Sequence, residues 1–197
     1  MKSFNLRSWI LLIVLCLTTQ TALANDLDLI SGARYLDEHD WPGVSAQPRL
    51  GLSLHIRPDG WPVGVVGAFS LSSVRQDHEL AINPTYGPNV YEIEGRTCET
   101  RLGLRYDFEN DQQNQLYLKG GLSLIAARQE YATVTAMEAS SRDRAPGLWL
   151  GLGASHRLAE HFNLGLETGY NWSQARLWHS DIEAGGFELG IVTGYHW

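Results

Sequence analysis

The sequence predicts an all-β fold, an eight-stranded antiparallel up-and-down barrel that crosses a membrane. Three observations support this prediction. Apolar residues alternate with small or polar residues through most of the chain, which is the period of a strand with two unlike faces. The segments that connect these alternating runs are long and short in turn. The last run ends on aromatic residues, as expected for a strand that ends at a membrane–water interface.

The first four predicted strands are residues 27–37, 49–57, 62–74 and 90–108. Each has an apolar row on one face and smaller or charged residues on the other. The apolar rows of the second, third and fourth strands are Leu50, Leu52, Leu54 and Ile56; Val63, Val65, Phe69 and Leu71; and Leu102, Leu104, Tyr106 and Phe108. The first strand is less regular, with Leu29 and Tyr35 on one face and Arg34 on the other.

The last four predicted strands are residues 115–134, 147–158, 162–172 and 187–197. Their apolar rows are Leu116, Leu118, Leu122 and Leu124; Leu148, Leu150 and Leu152; Phe162, Leu164, Leu166, Tyr170 and Trp172; and Phe187, Leu189, Ile191, Tyr195 and Trp197. The long alternation in the fourth and fifth strands indicates a sheet that continues past the membrane.

The connections define the two ends of the predicted barrel. Short turns at residues 58–60, 109–114 and 159–161 are assigned to the periplasmic end. Longer loops at residues 38–48, 75–88, 137–146 and 173–185 are assigned to the extracellular end. Trp41, Trp178 and Tyr86 in these loops are candidates for anchoring a partner, or for lying among lipopolysaccharide headgroups.

The amino terminus predicts export. Lys2 and Arg7 precede an apolar run of nine residues, 9–17, and Ala22-Leu23-Ala24 has the small-x-small pattern of a cleavage site. We therefore predict a signal peptide at residues 1–24 and a barrel domain at 25–197. The chain has 15 Lys and Arg and 22 Asp and Glu, and the first 24 residues contain two of the bases and no acid. The mature net charge of −9 argues against a nucleic-acid partner.

A soluble ligand-binding barrel would also alternate, with its apolar face turned inward. The polar face decides between the two, because it is rich in glycine and serine rather than in lysine and glutamate. Small residues suit the narrow interior of an eight-stranded barrel. The aromatic residues also lie towards the strand ends, as in membrane girdles. The predicted girdle consists of Trp61, Tyr106, Phe108, Phe162, Tyr195 and Trp197 at the inner rim and Tyr170 and Trp172 at the outer rim.

The chain resembles small bacterial outer-membrane barrels of the Ail, OmpX and opacity-protein type. The resemblance is carried by the terminal GFELGIVTGYHW and by two strand–turn–strand blocks, ETRLGLRYDF-ENDQQNQ-LYLKGGLSL and LWLGLGASHRLAEHFNLGLETGY. It implies an outer-membrane location, recognition of the final strand by the barrel-assembly machinery and contact with membrane lipid and lipopolysaccharide. The family has no shared catalytic motif, and its members include adhesins and serum-resistance factors. A host or surface protein is therefore an expected partner.

Some charged residues occupy the strand positions that alternate with the apolar row, which we call the inward parity because these positions face the lumen. They form a candidate lumen site. Inside a narrow barrel they must be paired or hydrated. We expect a salt-bridged filling, and the alternative is a narrow ion or water path. The predicted lumen charges are Arg34, Arg57, Glu99, Arg101, Arg105, Asp107, Lys119, Arg157, Glu167 and Glu188.

Other candidates for chemistry are weaker. Ser155 and His156, near Glu160, have the residue types of a lipid A-modifying esterase, but neighbours on a strand point to opposite faces. Ser173 with His179 is a looser alternative. The loop histidines His39, His78 and His179 lack the close spacing of a zinc site. We expect no enzyme activity, metal or cofactor, and a structural or surface-interaction role for the outer loops.

Overall fold

The computed structural model describes residues 24–80, 89–108, 113–133 and 138–197. The predicted signal peptide lies outside the described residues, apart from Ala24. The described chain contains nine strands. They are β1 (Ala24–Tyr35), β2 (Ala46–Arg57), β3 (Gly64–Leu80), β4 (Asn89–Phe108), β5 (Asn114–Thr133), β6 (Glu138–Arg157), β7 (Phe162–Leu177), β8 (Ser180–Glu183) and β9 (Gly186–His196). No described helix is long and apolar enough to cross a bilayer.

Eight of these strands close into a barrel. β1 to β7 pair in chain order, each antiparallel to the next, and β9 lies between β7 and β1. The closing ladder runs from Asp26 opposite His196 to Tyr35 opposite Phe187. The remaining strand, β8, pairs only with the outer end of β7. The predicted eight-stranded antiparallel barrel is confirmed.

The leucine rows point outward. Leu102, Leu122 and Leu166 are each more than 60% exposed, although they lie in the middle of long strands. The alternate positions on the same strands are buried or half-buried, and several of the buried ones are charged. Such a barrel has an apolar wall and a polar interior, which is the arrangement required in a bilayer and the inverse of a soluble ligand-binding barrel. The orientation predicted from the glycine-rich face is therefore correct.

Aromatic residues form contacts at both rims of the wall. At the inner rim, Phe162 and Tyr195 lie edge to face with their centroids 5.4 Å apart, and Tyr195 stacks on Trp197 at 6.1 Å. At the outer rim, Tyr170 and Trp172 are 4.9 Å apart. These pairs lie where the wall would meet the two membrane–water interfaces, so they support the predicted girdle.

The outer part of the sheet is longer than the sequence predicted. β3 continues to Leu80, β6 starts at Glu138 and β7 continues to Leu177. The loops predicted at 75–88, 137–146 and 173–185 are therefore wrong in those parts, whereas the predicted extension of β4 and β5 is confirmed. The apolar rows stop at the edge of the membrane, but backbone pairing does not need them and continues to Leu80 opposite Asn89.

β8 forms a hairpin with β7 in a segment where the sequence pattern predicts a loop. Trp178 and His179 occupy the turn with φ angles of 53° and 69°. Two successive positive φ angles are typical of the tight type I′ turn, which usually contains Asn or Gly. The bulky residues at these positions gave no hairpin signal. The hairpin is held against the extended sheet, because Trp178 Nε1 donates to Gln129 Oε1 at 3.0 Å.

Candidate functional site: the filled lumen and the outer sheet

The centre of the lumen is a cluster of three arginines around two glutamates. Arg101 Nε donates to Glu99 at 2.6 Å, and its Nη2 donates to Glu188 at 2.6 Å. Arg34 contacts both carboxylates, and Arg49 Nη1 lies 2.9 Å from Glu188 Oε2. All five side chains are at most 5% exposed. Each carboxylate therefore has at least two cationic partners, which offsets the cost of removing these charges from water.

The register explains why this cluster forms. Arg34 on β1 is directly opposite Glu188 on β9, because the closing ladder pairs these two residues. Glu99 and Arg101 are two residues apart on β4 and so share its inward face. Asn171 adds an amide donor to Glu99 at 2.5 Å and a second to Ser123 at 2.8 Å.

A second charged group fills the inner half of the lumen. Lys119 Nζ lies 2.5 Å from Glu167, which also accepts a hydrogen bond from Tyr117 at 3.2 Å. The Arg105 guanidinium lies 4.0 Å from the centre of the Tyr117 ring, and its Nε donates to Asp107 at 2.7 Å. The lumen residues Arg34, Glu99, Arg101, Arg105, Asp107, Lys119, Glu167 and Glu188 are thus placed in ion-paired groups inside the barrel.

The two remaining predicted lumen charges lie elsewhere. Arg57 is at the inner mouth, 3.3 Å from Asp107, with its side chain 38% exposed. Arg157 has the inward parity, but it is the last residue of β6 and is exposed. Its assignment to the lumen interior is wrong, since a strand's terminal residue projects past the ring of side chains that surrounds its predecessors.

The outer end of the lumen is closed by an apolar cluster, which we call the outer plug. It consists of Leu36, Trp41, Val44, Ile93, Ile125, Ala127, Ala145, Ala175, Leu177, Ile182 and Ala184. The first loop folds into the barrel mouth, so that Trp41 has no exposed surface. The prediction that Trp41 is an exposed loop aromatic is wrong. Trp178 is 39% exposed and remains at the surface, and Tyr86 lies outside the described residues.

The outer plug and the charged groups fill successive levels of one lumen. Ile125 and Ala127 of the plug lie on the same inward face of β5 as Tyr117, Lys119 and Ser123. Buried side chains thus run from the inner mouth to the outer mouth. The geometry favours the predicted salt-bridged filling over an open solute path.

The candidate catalytic residues are not brought together. Ser155 and His156 are neighbours on β6 with opposite directions, and His156 Nδ1 lies 2.9 Å from Asn114 Oδ1. Ser173 is buried and donates to the backbone carbonyl of Pro146 at 3.3 Å, whereas His179 is exposed in the hairpin turn. Neither serine has a histidine partner among its hydrogen bonds in the described residues. No group of three metal-ligating side chains occurs there either.

The outer sheet is a four-stranded extension formed by β3, β4, β5 and β6. The ladder between β2 and β3 ends at Arg49 opposite Ser72, while β3 stays paired with β4 as far as Leu80. On the other side, the ladder between β6 and β7 ends at Gly147 opposite Ser173. The extension therefore has two lateral edges, which we call the β3 edge and the β6 edge.

Only the β6 edge is covered in the described part of the chain. The β7–β8 hairpin lies beside it, where the backbone N–H of Arg176 donates to Asp143 Oδ2 at 2.7 Å and that of Trp178 donates to Ser141 Oγ at 3.0 Å. The bond from Arg176 also lowers the pKa of the Asp143 carboxyl, because it stabilises the ionised form. A groove of about 580 Å³ lies at the base of the β3 edge, between Arg49 and Ser73.

An apolar outer wall, an aromatic girdle, a filled polar lumen and short turns at one end define a bacterial outer-membrane β-barrel. The chain belongs to the family described as the outer membrane protein beta-barrel domain, whose model matches residues 10–193. This membership shows the outer-membrane location and confirms the resemblance inferred from the sequence motifs. Among curated proteins, none matches the chain by sequence.

Three solved structures of similar fold are distant from the chain in sequence. A major outer membrane protein from Thermus thermophilus is 12% identical with a TM-score of 0.63, covering 90% of this chain and 100% of its own. Ail, the attachment invasion locus protein of Yersinia pestis, is 10% identical with a TM-score of 0.56, covering 89% and 97%. Neisserial surface protein A is 14% identical with a TM-score of 0.54, covering 90% and 98%. At these identities the likeness concerns the fold.

Proposed function

We propose that this protein is a non-enzymatic outer-membrane barrel that binds a surface partner through the β3 edge of its outer sheet. The observation that carries the proposal is the early end of the β2–β3 ladder. Beyond Ser72, the backbone groups of β3 that face away from β4 have no ladder partner among the described residues. An unpaired edge of this kind can accept an additional strand from another protein.

Three further features support this edge as the binding surface. The β6 edge is occupied by the hairpin, so it is less accessible. Ser73, Arg75 and Gln76 on the β3 edge are polar, which keeps the edge soluble, and β3 contains no proline that would remove a backbone donor from it. The groove beside Ser73 offers space for a side chain of an added strand.

The rest of the molecule supports a structural rather than a catalytic role. The lumen is filled by ion pairs and the outer plug, and neither candidate serine is hydrogen-bonded to a histidine in the described part of the chain. We also propose that the outward row of β9 from Phe187 to Tyr195, followed by Trp197, is the segment recognised during assembly. The exposed leucine wall would contact membrane lipid, and the outer rim would contact lipopolysaccharide.

The β3 edge can be tested with a matched pair of proline variants, S73P and Q76P. Successive strand residues direct their N–H groups to opposite sides, so one proline removes an N–H on the open edge and the other removes a ladder bond to β4. Amide hydrogen exchange of the unmodified protein identifies the open-edge position, whose N–H exchanges faster. We then measure binding of protein-coated beads to cultured host cells and to purified complement factors.

The expected result is binding by the unmodified protein and its loss in the open-edge variant, which should still show the heat-dependent gel shift of a folded barrel. Unchanged binding by that variant would overturn the β3 edge as the binding surface. Release of fatty acid from lipid A by the purified protein would overturn the non-enzymatic assignment.

A further inference from the structure

Four arginines lie close together on the outward face of the outer sheet, and three of them are directly opposite one another on neighbouring strands. Arg96 on β4 is directly opposite Arg128 on β5, and Arg128 is directly opposite Arg142 on β6. Arg144 lies two residues from Arg142 on the same face, opposite Ala126. All four are exposed or half-buried at the surface. We call these four residues the arginine row.

The row is unfavourable for the isolated barrel. Like charges directly opposite each other on neighbouring strands are destabilising. Two members are partly compensated within their own strands, because Arg96 lies 2.5 Å from Glu94 and Arg128 pairs with Glu130. Arg142 and Arg144 have no ion pair among the described residues, and the neighbouring Asp143 is engaged by the backbone of Arg176. A sheet in water gains nothing from this arrangement, so the row suggests an anionic ligand.

The height of the row identifies the kind of anion. Arg144 is four residues beyond Leu148, a residue of the membrane wall, which is roughly 13 Å along the strand. With the usual tilt of about 40°, this is roughly 10 Å above that part of the wall. By the same measure, Arg96, Arg128 and Arg142 share a level six residues beyond Leu148, roughly 15 Å above it. The polar headgroup layer extends roughly 5–8 Å beyond the hydrocarbon edge, and long arginine side chains can extend towards a polar layer. The guanidinium group of Arg144, the lowest member of the row, can therefore reach phosphate groups of outer-leaflet lipid.

We propose that the arginine row is a binding site for the phosphate groups of lipopolysaccharide. Guanidinium groups suit this role because they bind phosphate oxygens in a bidentate manner and stay ionised. The phosphates would neutralise the repulsion within the row, and Arg142 and Arg144 would supply the unpaired donors. This site depends on the outer-membrane location. Arg96 also lines the groove at the β3 edge, whereas Arg142 and Arg144 do not, so substitutions of these two arginines test the lipid site separately from the proposed partner.

The test uses the double variant R142Q/R144Q, which removes no ion-pair partner from any acid in the described ranges. Its matched control is R157Q, an exposed arginine at the opposite end of the same strand. The refolded full barrel domain in neutral detergent micelles is titrated with bisphosphorylated lipid A, with lipid A stripped of both phosphates, and with inorganic phosphate. We expect the unmodified protein and R157Q to prefer bisphosphorylated lipid A, and the double variant to bind it about tenfold or more weakly.

Thermal unfolding gives an independent check, because the difference in unfolding temperature between the double variant and the unmodified protein should change when lipid A is added. In neutral micelles the double variant should unfold at the same temperature as the unmodified protein or higher, because repulsion is removed. With bisphosphorylated lipid A present, the double variant should unfold at a lower temperature than the unmodified protein under the same condition. Equal affinity of the double variant, equal binding of the stripped lipid, or equal stabilisation by inorganic phosphate at the same concentration would each overturn the lipid phosphate assignment.

Discussion

The indole Nε1 of Trp41 donates a hydrogen bond to the backbone carbonyl of Glu183 at 2.7 Å. This bond joins the first outer loop to β8, although the two residues are far apart in the chain. Its donor belongs to a side chain with no exposed surface. The first loop and the β7–β8 hairpin are therefore parts of one lid over the charged lumen, and the outer plug is the contact between them.

Replacing Trp41 with alanine should destabilise the barrel by about 3–5 kcal/mol, because the substitution leaves a large cavity in the outer plug. The W41F variant keeps most of the apolar volume and loses the hydrogen bond to Glu183, so its cost should be about 1 kcal/mol. Denaturant unfolding in detergent micelles measures both. Equal stability of W41A and the unmodified protein would mean that the first loop does not seal the mouth in solution.

The unmodified protein should show no stable conductance in planar bilayers, since buried side chains fill the lumen from one mouth to the other. W41A should also fail to conduct, because the cluster around Glu99 and Glu188 lies beneath the outer plug. Single-channel recording of both proteins checks this. Steady conductance of the unmodified protein would favour the narrow ion path instead.

The sequence was sufficient to predict the barrel because the leucine rows and the small inward residues carry the same period in most of the membrane strands, although the first strand is less regular. It was also sufficient to predict inward charges such as Arg34 and Glu188 from parity alone. Parity does not reveal where a strand ends, so it predicts a lumen position for Arg157, which lies beyond the lumen. The pairing of Arg34 with Glu99 also needs the closed barrel, which brings β1 and β4 together across the lumen.

The outer sheet and the outer plug could not be predicted in the same way. Beyond the membrane the outward positions become charged, so β3 and β6 lose the apolar alternation while their ladders continue. Trp41 is followed by Pro42 and Gly43, which are typical of an exposed loop. Its burial depends on the space between β4, β5 and β7, and that space exists only in the folded barrel.

Replacing Glu188 with glutamine should destabilise the barrel by about 3–5 kcal/mol, because Arg34, Arg49 and Arg101 would lose a shared buried carboxylate. The exposed Glu160 at the inner turn provides a control, since E160Q should change the free energy of unfolding by less than about 0.5 kcal/mol. Unfolding in urea with detergent present compares the two. A cost for E188Q as small as that of E160Q would contradict a structural role for the cluster.

Asp143 should titrate at a pKa below the usual aspartate value, because the backbone N–H of Arg176 donates to its ionised form. A lowered folded-state pKa stabilises the fold above the unfolded-state pKa, and this stabilisation is lost as the pH falls through the folded value. The β7–β8 hairpin should therefore loosen in acid, with faster exchange of the Arg176 amide. Carboxyl NMR titration measures the pKa. The D143N variant should lack both the titration and the acid-dependent change.

Two glycines provide a matched test of how closely the strands approach. A Cβ on Gly121 would lie 2.2 Å from the backbone oxygen of Leu102, whereas a Cβ on Gly67 would meet no atom within 4 Å. G121A should therefore destabilise the barrel by about 1–3 kcal/mol through overpacking, and G67A should be neutral or slightly stabilising, because alanine loses less conformational entropy than glycine. Denaturant unfolding and refolding yield in detergent measure both. If the two variants behaved alike, the close contact between β4 and β5 at Gly121 would be absent in the folded protein, and a larger side chain would fit on the lumen side of this ladder.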